Sequence, residues 1–477
     1  MRKLKTDVAV IGAGTAGQNA RAQVERAGKD WLLIEAGSYG TMCARTGCMP
    51  SKLLLAAAQT AHRARRAGLF GVQIAPEAIR VDGQAVLERV RRERDRFSEL
   101  NAQSVEKLPA EKRIRGIARF VGPTSLEVDD HTHVEAKAIV IATGSKPIVP
   151  REIAPLGDAV LTTDTLFELD TLPDSIAVFG TGAIGLELGQ ALHHLGVRVA
   201  FYNPLDQVGG FTDPVVRAGF HELLTAELDL TLGGQVTHVR QEDGCVVIRH
   251  RDPKGSHRER KFARVLAAVG RRPALEALKL EAAEIELDQA GAPTFARETM
   301  QCGSSPIFVA GDVDGDRTIL HEAVDDGVIA GANAARFPEV KTRTQKVPLR
   351  IAFTTPQMAQ IGPPFDEASD LAIGESSYDD QGRARVMGQN RGLVRVYADR
   401  ASQRLIGAEL YGPGVEHTAH LLAWAVQQQQ TVSTLLSMPF YHPTLEEGLR
   451  TAFRVLAKNL SLEVGVLTAD SGDSAGA

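Results

Sequence analysis

Two copies of one glycine pattern constrain the fold of this chain more than any other feature. The pattern is G-x-G-x-x-G directly after an apolar strand, and its glycines are Gly12, Gly14 and Gly17 in the first copy and Gly180, Gly182 and Gly185 in the second. The first glycine permits a tight turn, the second lets backbone approach a pyrophosphate, and the third lets the following helix pack on the strand. The sequence therefore predicts two dinucleotide-binding βαβ units.

The end of the second strand in each unit indicates which nucleotide it would bind. Glu35 and Asn203 both lie 23 residues after the first glycine of their copy. The Glu35 carboxylate can accept hydrogen bonds from a ribose diol, although a plain strand-end acid is the alternative. Asn203 can bond a hydroxyl without repelling a phosphate, and residues 201–207 hold no Arg or Lys, which favours NAD over NADP. Two dinucleotides in one chain suit hydride transfer between a flavin and a nicotinamide, so FAD and NAD are the predicted cofactors, with NADP as the open alternative to NAD.

Half of the four cysteines lie close together, at Cys43 and Cys48. Four cysteines are too few for a disulfide scaffold in a chain of this length, and a close pair in a reducing compartment is more often catalytic or metal-binding than structural. Residues five apart on a regular helix point in different directions, so the two could bond only across an irregular turn, which Gly47 would allow. Lys52 and a helix N-terminus would stabilise a thiolate here.

Two other interpretations of the cysteine pair stay open on the residues alone. The pair could be two small buried residues without redox chemistry. It could also bind a metal, but the remaining cysteines, Cys245 and Cys302, stand alone, and a zinc site needs more ligands than one pair. No metal site is expected.

Six further segments carry a family resemblance: "TMCARTGCMPSK" (41–52), "IVIATGSKP" (139–147), "VLAAVGRRP" (265–273), "IFVAGDVDG" (307–315), "TILHEAVDDG" (318–327) and "MPFYHPTLEEGLRTA" (438–452). Together they resemble the class I FAD-dependent pyridine nucleotide–disulfide oxidoreductases, and among these most closely the dihydrolipoamide dehydrogenases. The resemblance covers nearly the whole chain.

The resemblance implies a role for each residue of the redox site. Cys43 and Cys48 would form a redox-active disulfide, with Cys48 beside the flavin and Cys43 exchanging with the substrate. His442 would take the proton of the substrate thiol, and Glu447 would orient its imidazole. An ordinary loop histidine is the alternative for His442.

The resemblance also implies the residues that hold the cofactors. Lys52 and Glu187 would pair near the flavin nitrogen that receives hydride, although Glu187 could be a simple helix-face acid, and Asp312 would bind the ribityl chain. The implied cofactor-binding residues are Gly12, Gly14, Gly17, Glu35, Lys52, Gly116, Thr143, Gly144, Ser145, Gly180, Gly182, Gly185, Asn203, Gly270, Gly311, Asp312, Leu320 and His321.

The expected fold class is α/β, with two doubly wound dinucleotide-binding domains, for FAD and NAD, and an α+β C-terminal dimerisation domain. The FAD-binding domain is expected at 1–148 and 269–345, the NAD(P)-binding domain at 149–268 and the interface domain at 346–465. Residues 466–477 are small and polar, and a disordered tail is expected there. The family pattern implies a homodimer in which the His–Glu pair of one copy serves the cysteines of the other.

The predicted reaction is dihydrolipoamide + NAD = lipoamide + NADH, with a lipoyl-bearing carrier protein or a small dithiol as partner. One alternative is a related NAD(P)H-dependent disulfide or mercuric reductase, but mercuric reductases carry a C-terminal cysteine pair and this chain has no cysteine after Cys302. Another is a docking subunit of a multienzyme complex with a vestigial redox site. The loop "ARTG" where the family usually has Leu-Asn-Val-Gly, and Phe440 where many lipoamide enzymes carry a second histidine, leave the substrate open.

Charge and hydropathy exclude several other partners. The net charge of −5 argues against nucleic acid, because phosphate neutralisation needs a basic surface. No stretch reaches the eighteen or so apolar residues that span a bilayer, and the N-terminal apolar run is too short for a signal peptide. A cytoplasmic protein without membrane contact is expected.

Overall fold

A computed structural model describes residues 1–462, so the tail predicted at 466–477 lies outside the described residues. The N-terminal part supplies a sheet whose central strands are buried apolar runs, as is typical of parallel strands covered on both faces. Its elements are β1 (Arg2–Ile11), α1 (Thr15–Arg26), β2 (Trp31–Glu35), α2 (Met42–Arg45), α3 (Cys48–Arg65), α4 (Gly83–Glu106), β3 (Arg113–Arg115), β4 (Ala118–Gly122), β5 (Ser125–Val128), β6 (Thr132–Ile141) and β7 (Ser145–Pro147).

The middle part repeats this plan around the second glycine turn. Its elements are β8 (Val160–Leu161), β9 (Ser175–Phe179), α5 (Ala183–His194), β10 (Arg198–Asn203), α6 (Pro214–Thr225), β11 (Leu230–Leu232), β12 (Gln235–Glu242), β13 (Cys245–Arg251), β14 (His257–Phe262), β15 (Arg264–Ala267) and β16 (Arg271–Pro273). A parallel sheet has the order β11-β10-β9-β15-β8, and β12, β13 and β14 form a separate antiparallel sheet.

The chain then returns to its first sheet through β17 (Ile307–Val309) and α7 (Leu320–Ala334). Strand β17 pairs in parallel with β6, which extends the order β3-β2-β1-β6-β5-β4 to seven strands. Strand β16 pairs with β7, so the outgoing and returning links lie side by side. The C-terminal ends of β1, β6 and β17 therefore meet at one edge of the sheet, the place where parallel α/β sheets bind ligands.

The C-terminal part is an antiparallel sheet covered by helices. Its elements are β18 (Leu349–Ala352), β19 (Gln357–Ile361), β20 (Leu371–Ser377), α8 (Gly382–Val386), β21 (Leu393–Asp399), β22 (Leu405–Gly412), α9 (Val415–Gln427), α10 (Val432–Leu436) and α11 (Glu447–Asn459). The strand order is β18-β19-β22-β21-β20. The architecture confirms the predicted fold class. Helices α9 and α10 are separate elements, because Gln429 between them adopts a φ of 53° that no helix continues.

Membrane-spanning helices are not part of the described fold. Within residues 1–462, no helix is both long enough and apolar enough to cross a bilayer.

Candidate active site

The first glycine turn combines two close backbone approaches with one open position. Gly12 has a φ of +107°, and a Cβ there would lie 2.2 Å from the Ala142 carbonyl oxygen. A Cβ on Gly17 would lie 1.8 Å from the Gly12 carbonyl oxygen, whereas a Cβ on Gly14 would meet nothing within 4 Å. The outer two glycines are thus needed by the fold itself. The middle glycine keeps space clear at the N-terminus of α1, where a phosphate would be stabilised.

The second glycine turn has the same geometry. Gly180 has a φ of +105°, and its Cβ would lie 2.4 Å from the Ala268 carbonyl oxygen. A Cβ on Gly185 would lie 2.2 Å from the Gly180 oxygen, and a Cβ on Gly182 would again enter open space. Both turns therefore fit a dinucleotide pyrophosphate, since each has a Cβ-free cradle at a helix N-terminus.

The two strand-end residues differ in their hydrogen bonds. Glu35 Oε2 accepts from the Ala13 N–H at 2.7 Å, next to the glycine turn. Asn203 occupies the corresponding place, but its Nδ2 donates to Thr181 Oγ1 at 2.5 Å and to the Gln207 carbonyl at 3.1 Å. Asn203 therefore also ties together the loop that follows β10.

A buried hydroxyl without a partner lies beside the first glycine turn. Thr143 follows the Ala142 carbonyl that Gly12 approaches, and its Oγ1 has no hydrogen-bond partner within residues 1–462. Buried polar atoms are rarely left unpaired unless something outside the chain satisfies them. The next residues are also suited to a ligand, because Gly144 adopts a φ of +70° and Ser145 Oγ donates to Asp312 Oδ2 at 2.8 Å. This orphan hydroxyl and the Gly14 cradle fit a flavin dinucleotide.

The remaining predicted cofactor residues lie at strand ends and link segments. Gly116 follows β3 and donates its N–H to the Glu35 carbonyl at 3.1 Å. The carbonyl of Gly270 accepts from the Ile148 N–H at 3.0 Å, between the outgoing and returning links. Three others surround the return of the chain to the first sheet: Gly311 after β17, and Leu320 and His321 at the start of α7.

Arg271 is a site residue that the sequence analysis missed. Its guanidinium donates to Ser145 Oγ at 2.8 Å, to the Ser145 carbonyl at 2.9 Å and to Thr163 Oγ1 at 3.2 Å, and it contacts Met42 Sδ at 2.8 Å. Burial lowers the pKa of this arginine. The segment "VLAAVGRRP" carries the family resemblance without pointing to this side chain, and only the fold shows that Arg271 is half-buried whereas Arg272 is exposed.

The two cysteines lie on separate helices that meet at a tight turn. Cys43 is in the short helix α2 and Cys48 is the first residue of α3, with Gly47 between the helices. A Cβ on Gly47 would lie 3.2 Å from Cys43 Cα, so this glycine lets the second cysteine fold back over the first. Both are thiols in the structure.

The thiol groups interact directly and ionise differently. A hydrogen bond from Cys43 lowers the pKa of Cys48 to about 7, with the Lys52 charge adding to the effect and burial opposing it. The same hydrogen bond, together with burial, raises the pKa of Cys43. At neutral pH a large fraction of Cys48 is therefore thiolate, the form that acts as a nucleophile.

Lys52 and Glu187 form an ion pair one helical turn beyond Cys48. Lys52 Nζ lies 2.7 Å from Glu187 Oε2, and the glutamate side chain is only 6% exposed. The other carboxylate oxygen accepts from the Phe353 N–H at 2.7 Å, and Lys52 Nζ lies 4.7 Å from the centroid of the Phe353 ring. Phe353 comes from the C-terminal part, and no local sequence signal indicated it.

His442 and Glu447 form a second pair at the start of α11. His442 Nδ1 lies 3.0 Å from Glu447 Oε1, and Glu447 Oε2 accepts from the Thr444 N–H at 3.0 Å. The imidazole is 67% exposed, whereas the carboxylate is 8% exposed. Because Nδ1 faces the carboxylate, Nε2 is left to act as a base. No hydrogen bond or ion pair within residues 1–462 joins His442 to either cysteine of the pair.

Comparison with known proteins identifies the family of this arrangement. The sequence model of the pyridine nucleotide-disulphide oxidoreductases matches residues 6–330, and that of their dimerisation domain matches residues 349–453. The chain is 32% identical over 462 residues to a dihydrolipoyl dehydrogenase of Thermus scotoductus, covering 95% of this chain and 97% of that protein. It is 28% identical over 465 residues to a mercuric reductase of Staphylococcus aureus, covering 95% and 83%.

Solved structures of similar proteins agree with the fold. The HOCl-induced flavoprotein disulfide reductase RclA from Escherichia coli superposes with a TM-score of 0.81 at 23% identity, covering 94% of this chain and 99% of that chain. LpdA from Mycobacterium tuberculosis gives the same TM-score, identity and coverage.

Proposed function

The chain belongs to the pyridine nucleotide-disulphide oxidoreductases, a family that uses FAD and a pyridine nucleotide, and from this membership we propose that it oxidises dihydrolipoamide with NAD through a Cys43–Cys48 disulfide. The observation that carries the proposal is the close approach of the two cysteines across the Gly47 turn, one helical turn before the Lys52–Glu187 pair. A buried, structural cysteine pair would have no need of a nearby ammonium group or of a depressed thiol pKa.

The open positions at Gly14 and Gly182 and the unpaired Thr143 hydroxyl support the binding of two nucleotides. FAD would lie against the first glycine turn, with Glu35 near its ribose and with the Thr143 hydroxyl and Asp312 toward its flavin side. NAD would lie against the second turn, near Asn203. A flavin held there would supply two-electron transfer between the dithiol and the nicotinamide.

The sulfur chemistry follows from the two thiol environments. A substrate thiolate attacks Cys43 of the oxidised pair, forming a mixed disulfide and releasing Cys48 as a thiolate that Lys52 stabilises. The second sulfur of the substrate then attacks the substrate sulfur that is bonded to Cys43, which forms the substrate disulfide and releases Cys43 as a thiolate. The substrate loses two electrons and two protons, and the enzyme disulfide gains the two electrons. A leaving group of low pKa departs faster, which suits Cys48.

His442 would remove the proton of the attacking substrate thiol. Glu447 is fixed by the Thr444 N–H and holds His442 Nδ1, so Nε2 presents its lone pair to solvent. In this proposal the imidazole completes the site of a second copy of the chain in a homodimer, which agrees with its exposure and with the dimerisation domain at 349–453.

A comparison of substrates tests the proposal. Purified protein with its flavin is assayed with dihydrolipoamide, a lipoylated carrier domain, glutathione disulfide and mercuric ion, each with NAD(H) and NADP(H). We expect the highest kcat/KM for a lipoyl substrate with NAD. A Cys48→Ser variant should lose at least about a thousandfold in rate, because the disulfide cannot form, whereas Cys245→Ser serves as the matched control and should keep full activity. A Cys48→Ser protein that oxidises dihydrolipoamide normally would refute the assignment.

The second candidate is a reductase of another disulfide or of mercuric ion. It is favoured by the similarity to the Staphylococcus aureus mercuric reductase and by the altered loop "ARTG" between the cysteines. A kcat/KM for mercuric ion or glutathione disulfide above that for every lipoyl substrate would select it. Absence of turnover with all four substrates would favour the docking-subunit alternative.

A further inference from the structure

Three side chains with metal-ligand chemistry meet at the far end of the helix that begins with Cys48. They are His62 in the last turn of α3, His194 at the end of α5, and Glu227 just after α6. One ligand atom from each lies within 4.8 Å of the other two. His194 Nε2 is 2.5 Å from Glu227 Oε1, and the rings of His62 and His194 have centroids 4.0 Å apart.

Two of the three side chains pair with each other, since His194 and Glu227 share a hydrogen bond, and the third lies beside them. Within residues 1–462, neither ring nitrogen of His62 has a hydrogen-bond partner. The cluster thus offers two imidazoles and one carboxylate.

Neighbouring residues hold the carboxylate in place. Gln190 is 1% exposed, and its Nε2 donates to Glu227 Oε2 at 3.2 Å and to the Thr355 carbonyl at 2.8 Å. Its Oε1 accepts from the Thr355 N–H at 2.7 Å. Such outer hydrogen bonds orient metal ligands and raise their affinity for the ion.

Two arginine side chains near the cluster donate their hydrogen bonds to backbone carbonyls. Arg65 donates to the His194 carbonyl, and Arg66 donates to the Gly388 carbonyl at 3.1 Å. The two guanidinium groups weaken the attraction of the cluster for a cation, but neither forms a hydrogen bond with the three ligand atoms.

We propose that His62, His194 and Glu227 bind one divalent ion of the zinc class, with water as fourth ligand. Two histidines and one glutamate are an established zinc ligand set, and borderline ions of this kind prefer imidazole nitrogen. In a tetrahedral site the ligand atoms would lie about 3.3 Å apart, given zinc bonds of about 2.0–2.2 Å. The 2.5 Å contact between His194 and Glu227 would widen to admit the ion, and His62 would turn toward it.

A bound ion would join the two helices that carry the redox ion pair. Helix α3 holds Cys48 and Lys52 near its start, and α5 holds Glu187, so the Lys52–Glu187 pair and the proposed metal site connect the same two helices at different levels. The site is separate from the cysteine pair and does not depend on the reaction proposed above.

Zinc titration of the full-length flavoprotein tests the proposal. A Cys43→Ser/Cys48→Ser background removes the thiols that would otherwise bind zinc, and affinity is measured by competition with a coloured chelator after EDTA treatment. We expect one zinc ion per chain, and a rise in Tm with added zinc because the ion binds only the folded state. His62→Asn and Glu227→Gln should each weaken binding by at least about tenfold.

His193→Asn is the matched control, since it changes the adjacent histidine of the same helix and should leave zinc affinity unchanged. Cobalt substitution gives a readout that a folding defect cannot imitate, because tetrahedral Co²⁺ with nitrogen and oxygen ligands absorbs strongly in the visible range. Failure of the double-serine protein to bind zinc, or a His62→Asn protein that binds as tightly as its parent, would overturn the proposal.

Discussion

At the scale of single residues, two side chains of the site make predictions that substitutions can test. Cys48 ionises near neutral pH because Cys43 and Lys52 both favour its thiolate. Thr143 has a buried hydroxyl with no partner in the described chain. The ionisation of Cys48 predicts that the reaction rate depends on pH, and the unpaired hydroxyl of Thr143 predicts a contact with a bound ligand.

Replacement of Lys52 by Met should raise the pKa of Cys48 from about 7 toward the ordinary thiol value of about 8.5. A cation favours the charged form of a neighbouring thiol, so its removal makes ionisation harder and moves the acid limb of the rate profile to higher pH. The ultraviolet absorbance of the thiolate, titrated in reduced protein against a Cys48→Ser reference, measures the change. Lys52→Arg keeps the charge and should keep the pKa; a Lys52→Met protein that still titrates near 7 contradicts this account.

Replacement of Thr143 by Val should weaken FAD binding by about two- to tenfold, the contribution of one hydrogen bond. The apoprotein should be as stable as before or more stable, because the variant removes an unpaired buried hydroxyl. Thr132→Val is the matched control, since the Thr132 hydroxyl contacts His131 Nδ1 at 2.7 Å within the protein. That control should lower the stability of the apoprotein and leave FAD affinity unchanged. The opposite pattern in the two variants would disprove a flavin contact at Thr143.

At the scale of elements, the two strand–turn–helix units have the same geometry. The fold leaves room for a side chain at the middle glycine of each unit, so only a bound ligand would require glycine there. A Cβ added to Gly12 or Gly180 would lie 2.2 or 2.4 Å from a backbone carbonyl oxygen, whereas a Cβ added to Gly14 or Gly182 would meet no atom within 4 Å. Substitutions at the middle positions can therefore separate binding of the two nucleotides without harming the fold.

Gly182→Ala should retain FAD and thermal stability but raise the KM for NADH by at least about tenfold, because its methyl group occupies the pyrophosphate cradle. Gly14→Ala should have the reverse effect, with weak FAD retention and an intact NADH site. Flavin content, Tm and steady-state kinetics measure both. Gly180→Ala, by contrast, should fail to fold. An unchanged KM in the Gly182→Ala enzyme would mean that the second turn does not bind the nicotinamide nucleotide.

The sequence predicted the elements whose chemistry is local. Both glycine turns and the helix that begins near Cys48 follow from spacing within a few residues, and the family resemblance supplied the Lys52–Glu187 and His442–Glu447 pairs. Arg271 and Phe353 could not be predicted in the same way, because their roles come from contacts with Ser145 and Glu187, far away in the chain. The cluster of His62, His194 and Glu227 was missed for the same reason, since three separate segments meet only in the folded chain.

At the scale of the whole molecule, the redox site as described is open on one side. Part of the Cys48 residue is exposed to solvent although its sulfur is partly desolvated. The imidazole of His442 is also exposed, and its Nε2 has no hydrogen-bond partner within residues 1–462. A second copy that docks through the dimerisation domain would bring one copy's imidazole to the other copy's cysteines. Each active site would then need residues from two chains.

Mixed dimers test this arrangement. Co-expression of a Cys43→Ser chain with a His442→Gln chain, each with a different affinity tag, gives heterodimers. Shared sites would place both changes in one site and neither in the other, whereas sites within one chain would each carry one change. If sites are shared, the heterodimer should have about half of the wild-type activity, although each variant homodimer is nearly inactive. Heterodimers as inactive as the homodimers would place the cysteines and the imidazole of each site in one chain.

The most direct test of the central claim is a count of thiols in denatured protein before and after reduction by NADH. The chain has four cysteines, and in the oxidised flavoprotein only Cys245 and Cys302 should react, which gives two thiols per chain. After anaerobic addition of one equivalent of NADH and rapid denaturation, the count should rise to four, because the electron pair has opened the Cys43–Cys48 disulfide. Four reactive thiols in the oxidised protein, or a count that NADH does not change, would contradict the account.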